Sequence, residues 1–310
     1  TRGSMLCSRD PLGETSSMSD VSNLRSYADL LSTEWNEIRE AFVAVVESSS
    51  IERVDWPVGF IGFVDRRRSD DTPAAVQRRH DLLVRYDRWL VRFRLLFVAS
   101  LPEIDGRIGD VDKLVRGWLD RSNSNDWSVP TTIAEAVDKA TSDTAAIDDL
   151  IEQAAPDRTR GVVAIIDTNC LLREPDLARF SKPFDRVPVE LVFVPAVIRE
   201  LDDLKDRGRS QEVRAAAAKA AKRIKGLRDR GSLLAGVTVE GSLTSRIEPV
   251  EPDFARLPTW LDPNTPDDRV LASTLTIQAS QPDRVVVLIT NDLGLATKAE
   301  FNGIPNVDEP

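Results

Sequence analysis

Histidine and cysteine are nearly absent from this chain of 310 residues, which contains one His and two Cys. The cysteines, Cys7 and Cys170, are too few for a disulfide framework, and no Cys/His spacing in the sequence predicts a zinc site. His80 stands in a predicted helix beside arginines, and we interpret it as a surface or partly buried helix residue rather than a general base. Chemistry that needs a pair of histidines is therefore excluded.

Long apolar runs are absent as well. No run approaches the roughly 20 residues that cross a bilayer, and the N-terminus lacks the apolar core of a signal peptide. We interpret Thr-Arg-Gly-Ser ahead of Met5 as a cloning remnant, and residues 1–20 as a tag and disordered N-terminus. With 41% hydrophobic and 30% charged residues, the composition of the chain is typical of a globular protein. We expect a cytoplasmic protein with no membrane partner.

The first half of the chain has the apolar spacing of helices. Apolar residues recur in steps of three and four from Ser22 to Glu47 and again from Leu82 to Phe97, which lines one face of a helix in each case. Shorter helices are predicted at 110–120 and 131–153. Residues 58–64 are predicted to form either a loop or a short strand. This pattern predicts an all-helical N-terminal domain over residues 21–156, which could bind RNA, mediate dimerisation or dock a regulatory partner.

The second half alternates strand-like apolar runs with helical stretches. Such alternation predicts an α/β domain with a parallel sheet flanked by helices, here over residues 157–310. The segment 241–264 is rich in Pro and polar residues and is predicted to be a surface loop flanking the site. The predicted strands are 162–167, 190–194, 236–240, 284–290 and 304–307, and the predicted helices are 195–206, 211–229, 266–280 and 292–301.

Acidic residues occupy the strand ends and helix starts of this half. Asp167 follows five apolar residues, Glu200 lies one turn into a helix, Asp267 and Asp268 begin a helix, and Asp292 follows an apolar strand. Residues beyond the carboxyl ends of parallel strands converge on one crevice. Each acid alone is readily explained as a helix cap or a solvated charge. Together they predict a cluster of carboxylates whose repulsion a divalent metal ion would offset.

The same residues carry a family resemblance over residues from about 160 to the C-terminus. The four blocks, in order, resemble the motifs of the PIN domain, a family of metal-dependent ribonucleases related in fold to flap-type nucleases. They are Asp167-Thr-Asn, Pro195-x-x-x-x-Glu200-Leu-Asp-x-Leu-Lys205, Thr265-Pro-Asp-Asp-Arg-Val-Leu-Ala and Leu288-x-Thr-Asn-Asp292-x-x-Leu-x-x-Lys298-Ala.

The resemblance implies a function and a role for each matching residue. It implies an endoribonuclease that hydrolyses RNA phosphodiester bonds with Mg²⁺ or Mn²⁺. The implied catalytic and metal ligands are Asp167, Glu200, Asp267 and Asp292, with Asp268 as a close substitute for Asp267. The implied supporting residues are Asn169, Thr290 and Asn291.

Positive charge is concentrated in one stretch of an acidic chain. The net charge is −10, yet residues 205–230 contain ten Lys or Arg and three acids. Lys205 and Arg209 lie nearest to Glu200 in sequence and are our candidates for RNA phosphate contacts. The alternative is a solvated helix face opposite a buried alanine-rich side. A second basic region is interpreted mainly as the solvated face of an amphipathic helix, and it comprises Arg66, Arg67, Arg68, Arg78, Arg79, Arg85, Arg88, Arg92 and Arg94. Five tryptophans are interpreted as core or interface residues: Trp35, Trp56, Trp89, Trp118 and Trp127.

Other functions remain open at this point. One is a PIN-fold module that has lost catalysis and binds RNA or a protein partner, and another is a toxin-type nuclease controlled by a partner. The helical half leaves a homo-oligomer or a regulatory protein as partners. A haloacid-dehalogenase-like phosphatase is disfavoured because Asn169 stands where that chemistry needs a second acid. A response-regulator receiver is disfavoured because its acceptor Asp ends a middle strand, whereas Asp167 follows the first predicted strand of this half.

Overall fold

The computed structural model describes residues 24–54, 65–69, 72–97, 102–121, 129–155, 161–184 and 187–308. Within these ranges a helical half precedes an α/β half, which confirms the predicted fold class. The predicted tag segment at 1–20 and the ambiguous stretch at 58–64 lie outside the described residues, and the domain limits at 156/157 stay a prediction. No helix in the described part of the chain is long and apolar enough to span a membrane.

Among the described residues, the helical half contains four long helices and one short antiparallel pair of strands. Ser26, Thr72 and Thr132 cap three of the helices by accepting a hydrogen bond from a backbone N–H of the first turn, which satisfies a donor that the helix leaves unpaired. The elements are α1 Tyr27–Ser48, β1 Ser50–Val54, β2 Asp65–Ser69, α2 Pro73–Arg94, α3 Pro102–Leu119 and α4 Ile133–Ala154. The expectation of a purely helical domain therefore needs correction, because β1 pairs with β2.

The core of this half is built on stacked aromatic rings. Trp89 stacks between Trp35 and Phe93 with ring centroids 4.7 Å apart on each side, and its indole N–H donates to the Leu31 carbonyl at 3.0 Å. Trp118 is also buried. The prediction of core tryptophans is thus confirmed for these three, while Trp56 and Trp127 lie outside the described residues. His80 is exposed on α2, as predicted.

The α/β half is a six-stranded mixed sheet with helices around it. Its strand order is β5-β6-β4-β3-β7-β8, and every neighbouring pair is parallel except β5 and β6. All five residues of β3 are buried, as a central strand covered on both faces requires. The elements are β3 Val162–Ile166, α5 Thr168–Arg173, β4 Val189–Phe193, α6 Pro195–Arg207, α7 Gln211–Leu227, β5 Val237–Glu240, β6 Leu243–Ile247, α8 Pro266–Ser280, β7 Val285–Ile289, α9 Leu293–Phe301 and β8 Asn306–Val307.

One strand of this sheet lies where a loop was expected. Residues 241–264 were predicted to form a surface loop, but β6 lies between β4 and β5 and pairs in parallel with β4. The strand escaped detection because Thr, Ser and Arg interrupt its apolar residues. Arg246 is accommodated because Glu190 and Glu248 pair with its guanidinium at 3.4 and 3.0 Å. The prediction of a loop is therefore wrong for Leu243–Ile247, which form β6.

The two halves contact each other directly. The Ala28 N–H donates to the Pro282 carbonyl at 2.9 Å, and Leu95, just after α2, is buried in the core of the α/β half. Gly303 has a φ of +71°, and a Cβ on it would lie 2.9 Å from an Nη atom of Arg92 in α2. That guanidinium is fixed by an ion pair with Glu34 of α1.

We expect Gly303→Ala to destabilise the protein by about 1–2 kcal/mol, because a Cβ at positive φ is strained and Arg92 has to move. The matched control is Gly106→Ala in α3, where a new Cβ would meet no atom within 4 Å. This control should be neutral or stabilising by up to about 1 kcal/mol. Urea unfolding of both variants measures the difference, and equal stabilities would contradict the tight contact at Gly303.

Candidate metal and nuclease site

The predicted acidic residues lie around one edge of the sheet. β3 pairs with β4 on one side and β7 on the other, all in parallel, so their carboxyl ends meet at this edge. Asp167 directly follows β3, α6 with Glu200 follows β4, and Asp292 follows β7. Helix α8 begins at Pro266 and leads into β7, which brings Asp267 to the same edge.

Asp167 is the buried centre of this edge, with 4% of its surface exposed. It is the residue before α5, but its side chain makes no capping bond to that helix. Its Oδ2 accepts a hydrogen bond from the Thr290 hydroxyl at 3.3 Å, and its backbone N–H donates to the Ile289 carbonyl at 3.0 Å. The side chain is therefore held in place at the sheet edge and does not serve as a helix cap.

Glu200 is oriented by the residue that follows Asp167. The hydroxyl of Thr168, which is fully buried, donates to Glu200 Oε2 at 2.7 Å. Glu200 itself is half-buried on α6. Thr168 thus links the start of α5 to the first turns of α6. This contact could not be predicted from the sequence, because the two residues are 32 positions apart.

Asp267 and Asp268 have different environments although they are adjacent. Asp268 is buried, and its two oxygens are engaged by the Lys298 ammonium and the Asp262 backbone N–H, at 2.5 and 3.0 Å. Asp267 is half-buried, and the negative charge of Asp292 is near enough to raise its pKa. Asp267 therefore interacts electrostatically with the other acids, whereas Asp268 makes a supporting contact with α9.

Asp292 acts as a helix cap, which is one of the two interpretations that the sequence left open. Its Oδ1 caps α9 by accepting a hydrogen bond from the Leu295 N–H at 2.8 Å. Its backbone N–H donates to the Thr290 hydroxyl oxygen at 3.1 Å. Because Thr290 also donates to Asp167, this buried threonine connects the two carboxylate positions.

The electrostatic interactions join these acids into one group. Burial, followed by the charge of Glu200 and then that of Asp267, raises the pKa of Asp167 to about 6. Hydrogen bonds from the Thr168 backbone N–H and the Thr290 hydroxyl act in the opposite direction and lower this pKa. Burial and the charge of Asp292 likewise raise the pKa of Asp267, while Lys298 lowers it. Asp167, Glu200, Asp267 and Asp292 are thus neighbours at the same edge, each within electrostatic range of at least one other.

The donor set is chemically suited to a hard divalent cation. It offers carboxylate oxygens with no His or Cys, which Mg²⁺ and Mn²⁺ prefer, and a cation would relieve the repulsion that raises the Asp167 pKa. Among the described residues, no three acidic, His or Cys side chains are arranged closely enough to hold a metal ion together. The acids are therefore brought to one edge without being assembled into a coordination sphere.

The remaining predicted site residues lie on the surface. Asn169 and Asn291 are exposed beside Asp167 and Asp292. Lys205 pairs with Asp202 at 3.0 Å on the exposed side of α6, and Arg209 is exposed in the turn before α7. Helix α7 buries Ala217 and Ala220 and exposes its lysines, an arrangement that fits both interpretations of the basic stretch.

Comparison with known protein families identifies the fold of the C-terminal half. Residues 164–309 match the model of the PIN domain family, a range that contains every acid of the site. No curated protein matches the chain. The PIN domain is a nuclease-type fold whose members are generally nucleases that use divalent metals, although some are inactive. The C-terminal half of this chain belongs to the PIN domain family.

Proposed function

We propose that this chain is a metal-dependent endoribonuclease that hydrolyses phosphodiester bonds of RNA. The observation that carries the proposal is Asp167, a buried carboxylate at the end of the central strand, beside Glu200 and Asp267. Burying such a charge among other acids opposes folding, and groups in such environments cluster at functional sites. A metal site is the function that this chemistry supports best.

Asp167, Glu200, Asp267 and Asp292 are the residues that would hold the ion. A divalent ion bound there lowers the pKa of a water molecule and offsets negative charge on the phosphate. Thr290 holds Asp167 through its hydroxyl, and Thr168 holds Glu200. Asp268 keeps its neighbour Asp267 in place through its contacts with Lys298 and the Asp262 backbone. Asn169 and Asn291 are proposed supporting groups, and Lys205 and Arg209 are proposed phosphate contacts.

RNA cleavage by the full chain tests this function. We expect a labelled single-stranded RNA to be cut with Mn²⁺ or Mg²⁺ and to remain intact with EDTA. A covalently closed circular RNA separates internal cleavage from exonuclease action, because it has no ends to digest. Persistent intactness of both substrates with either metal would contradict the proposal.

The second candidate is a PIN module without catalysis that binds RNA or a protein partner, or a toxin-type nuclease that a partner holds inactive. The capping bond of Asp292 favours the PIN module without catalysis, because this carboxylate already has a structural role. Calorimetric titration with Mn²⁺ separates the candidates: a catalytic site should bind the ion and lose binding in both Asp167→Asn and Asp292→Asn.

We further propose that the helical half binds a second copy of the chain or a regulatory protein, and that the protein is cytoplasmic.

We expect Thr168→Val to reduce single-turnover cleavage by roughly 10-fold or more, because Glu200 loses the hydrogen bond that orients it. Thr168→Ser keeps the hydroxyl and should retain most of the activity. If Thr168 had only a structural role, Thr168→Val would lower the melting temperature as well as the activity. Thermal melts of both variants are therefore measured beside the kinetics. If Thr168→Val and Thr168→Ser cleave equally fast, the positioning role is wrong.

A further inference from the structure

A cleft of about 620 Å³ lies between the helical half and the PIN domain. Its walls come from α2, from the loop before α8 and from the end of α9. Two large aromatic side chains in it face solvent: Trp260 is 42% exposed and Phe301 is 58% exposed. Contiguous exposed apolar patches on a folded surface often mark a binding site.

The aromatic rings and one guanidinium form a defined arrangement. Trp260 and Phe301 meet edge to face with ring centroids 6.1 Å apart. The guanidinium carbon of Arg88, from α2, lies 5.6 Å from the centroid of the Phe301 ring. Of the carboxylates in the described residues, none pairs with Arg88. The two halves of the chain therefore each contribute a flat group to the same surface.

The cleft is connected to the carboxylates by short contacts. Trp260 is two residues before Asp262, whose N–H binds Asp268. Phe301 is three residues after Lys298, whose ammonium binds the same carboxylate. On α9, Leu293, Thr297 and Phe301 are exposed at spacings of four and so share one face. This face begins beside Asp292 and spans roughly 13 Å.

Charged side chains at the base of the cleft have partners within the protein. Arg92 is paired with Glu34 and lies against Gly303, whose lack of a side chain leaves room for the guanidinium. Asp87 is compensated by Arg116 at 2.5 Å. Glu300 accepts a hydrogen bond from Asn306 and places an acidic side chain in the cleft lining, so this surface is better suited to the face of a ring than to a phosphate group.

We propose that Trp260, Phe301 and Arg88 form a stacking subsite for a base of single-stranded RNA, a few nucleotides from the candidate cleavage site. Aromatic rings and guanidinium planes both stack on bases. The strand has to be single, because the faces of paired bases are already covered by their neighbours. The inference rests on the proposed function for the identity of the ligand, and it gives the helical half a role in substrate binding.

Fluorescence anisotropy of the full chain with a labelled 12-nucleotide oligo(U) tests the subsite. EDTA is present, so that binding is measured without cleavage. An abasic ribose-phosphate strand of equal length provides a ligand without bases. We expect the full chain to bind oligo(U) more tightly than the abasic strand, and Trp260→Ala and Phe301→Ala to weaken oligo(U) binding roughly 5- to 150-fold. Trp260→Phe should retain most of the affinity.

Matched variants separate stacking from charge and from folding. Arg88→Ala should weaken oligo(U) binding about two- to fivefold. Arg85→Ala removes an exposed arginine of the same helix that pairs with Glu37, and it should leave the affinity for oligo(U) unchanged. Both aromatic side chains are exposed, so thermal melts of the alanine variants should resemble that of the parent.

Several results would overturn the subsite. They are equal binding of oligo(U) and the abasic strand by the full chain, unchanged oligo(U) affinity in both alanine variants, or an equal loss of affinity for both strands. A change in oligomeric mass by light scattering with unchanged oligo(U) affinity would assign the surface to self-association. Cleavage with Mn²⁺ is measured separately, so a chain that stacks bases without cutting RNA would refute the proposed function and leave the subsite intact.

Discussion

Asp167→Asn should reduce the rate of RNA cleavage by roughly 10²- to 10⁴-fold, since a metal centre contributes several kcal/mol to the stabilisation of the transition state. The amide keeps the size of the side chain and can still accept the hydrogen bond from the Thr290 hydroxyl. What it removes is the negative charge at the centre of the acidic group. Single-turnover cleavage with saturating Mn²⁺ measures the loss.

Asp229→Asn is the matched control for this variant. Asp229 is an exposed acid in the short turn after α7, so the substitution changes the net charge by the same amount without touching the sheet edge. We expect it to cleave at the parental rate. Cleavage by Asp167→Asn at the rate of Asp229→Asn would remove Asp167 from the site.

The arrangement of the acids was accessible from the sequence because it follows from topology. Strand candidates at 162–167 and 284–290 are observed as β3 and β7, and the helix predicted at 266–280 is observed as Pro266–Ser280. Once strands alternate with helices in a parallel sheet, the residues that follow each strand have to meet at one edge. The positions of Asp167 and Asp292 therefore required no knowledge of side-chain packing.

Side-chain partners were not accessible in the same way. The sequence could not separate Asp267 from Asp268, because the difference lies in the ion pair with Lys298, 30 residues further on. The exposure of Trp260 could not be predicted, because a single aromatic residue in a Pro-rich loop has no periodicity that indicates whether it is buried. β6 was missed for a related reason: its polar residues are accommodated by Glu190 and Glu248, which belong to distant parts of the chain.

A second large effect concerns stability in the absence of metal. The folded chain has to bury Asp167 near the charges of Glu200 and Asp267, and these raise its pKa to about 6. An aspartate in an unfolded chain titrates near 3.9. We therefore expect Asp167→Asn to stabilise the metal-free protein at pH 7.5 by up to about 3 kcal/mol, the equivalent of two pKa units.

The direction of the pH dependence follows from the raised pKa. The folded state binds this proton more tightly than the unfolded state, so its stabilising contribution is present at low pH and is lost as the pH rises through about 6. Between pH 4.5 and pH 7.5 the parent should lose about 2 kcal/mol more than Asp167→Asn. Urea unfolding in EDTA at both pH values provides the comparison, and Asp229→Asn should follow the parent.

The same substitution thus has opposite expected effects on catalysis and on stability, and that opposition separates a functional carboxylate from a structural one. If Asp167 supported the fold, its replacement would lower both activity and stability. If it is retained for a cation, Asp167→Asn should be the more stable protein in EDTA, and Mn²⁺ should stabilise the parent more than the variant because only the parent has the full set of ligands. A parent that unfolds at the same urea concentration with and without Mn²⁺, together with a less stable Asp167→Asn, would show that this buried charge serves the fold.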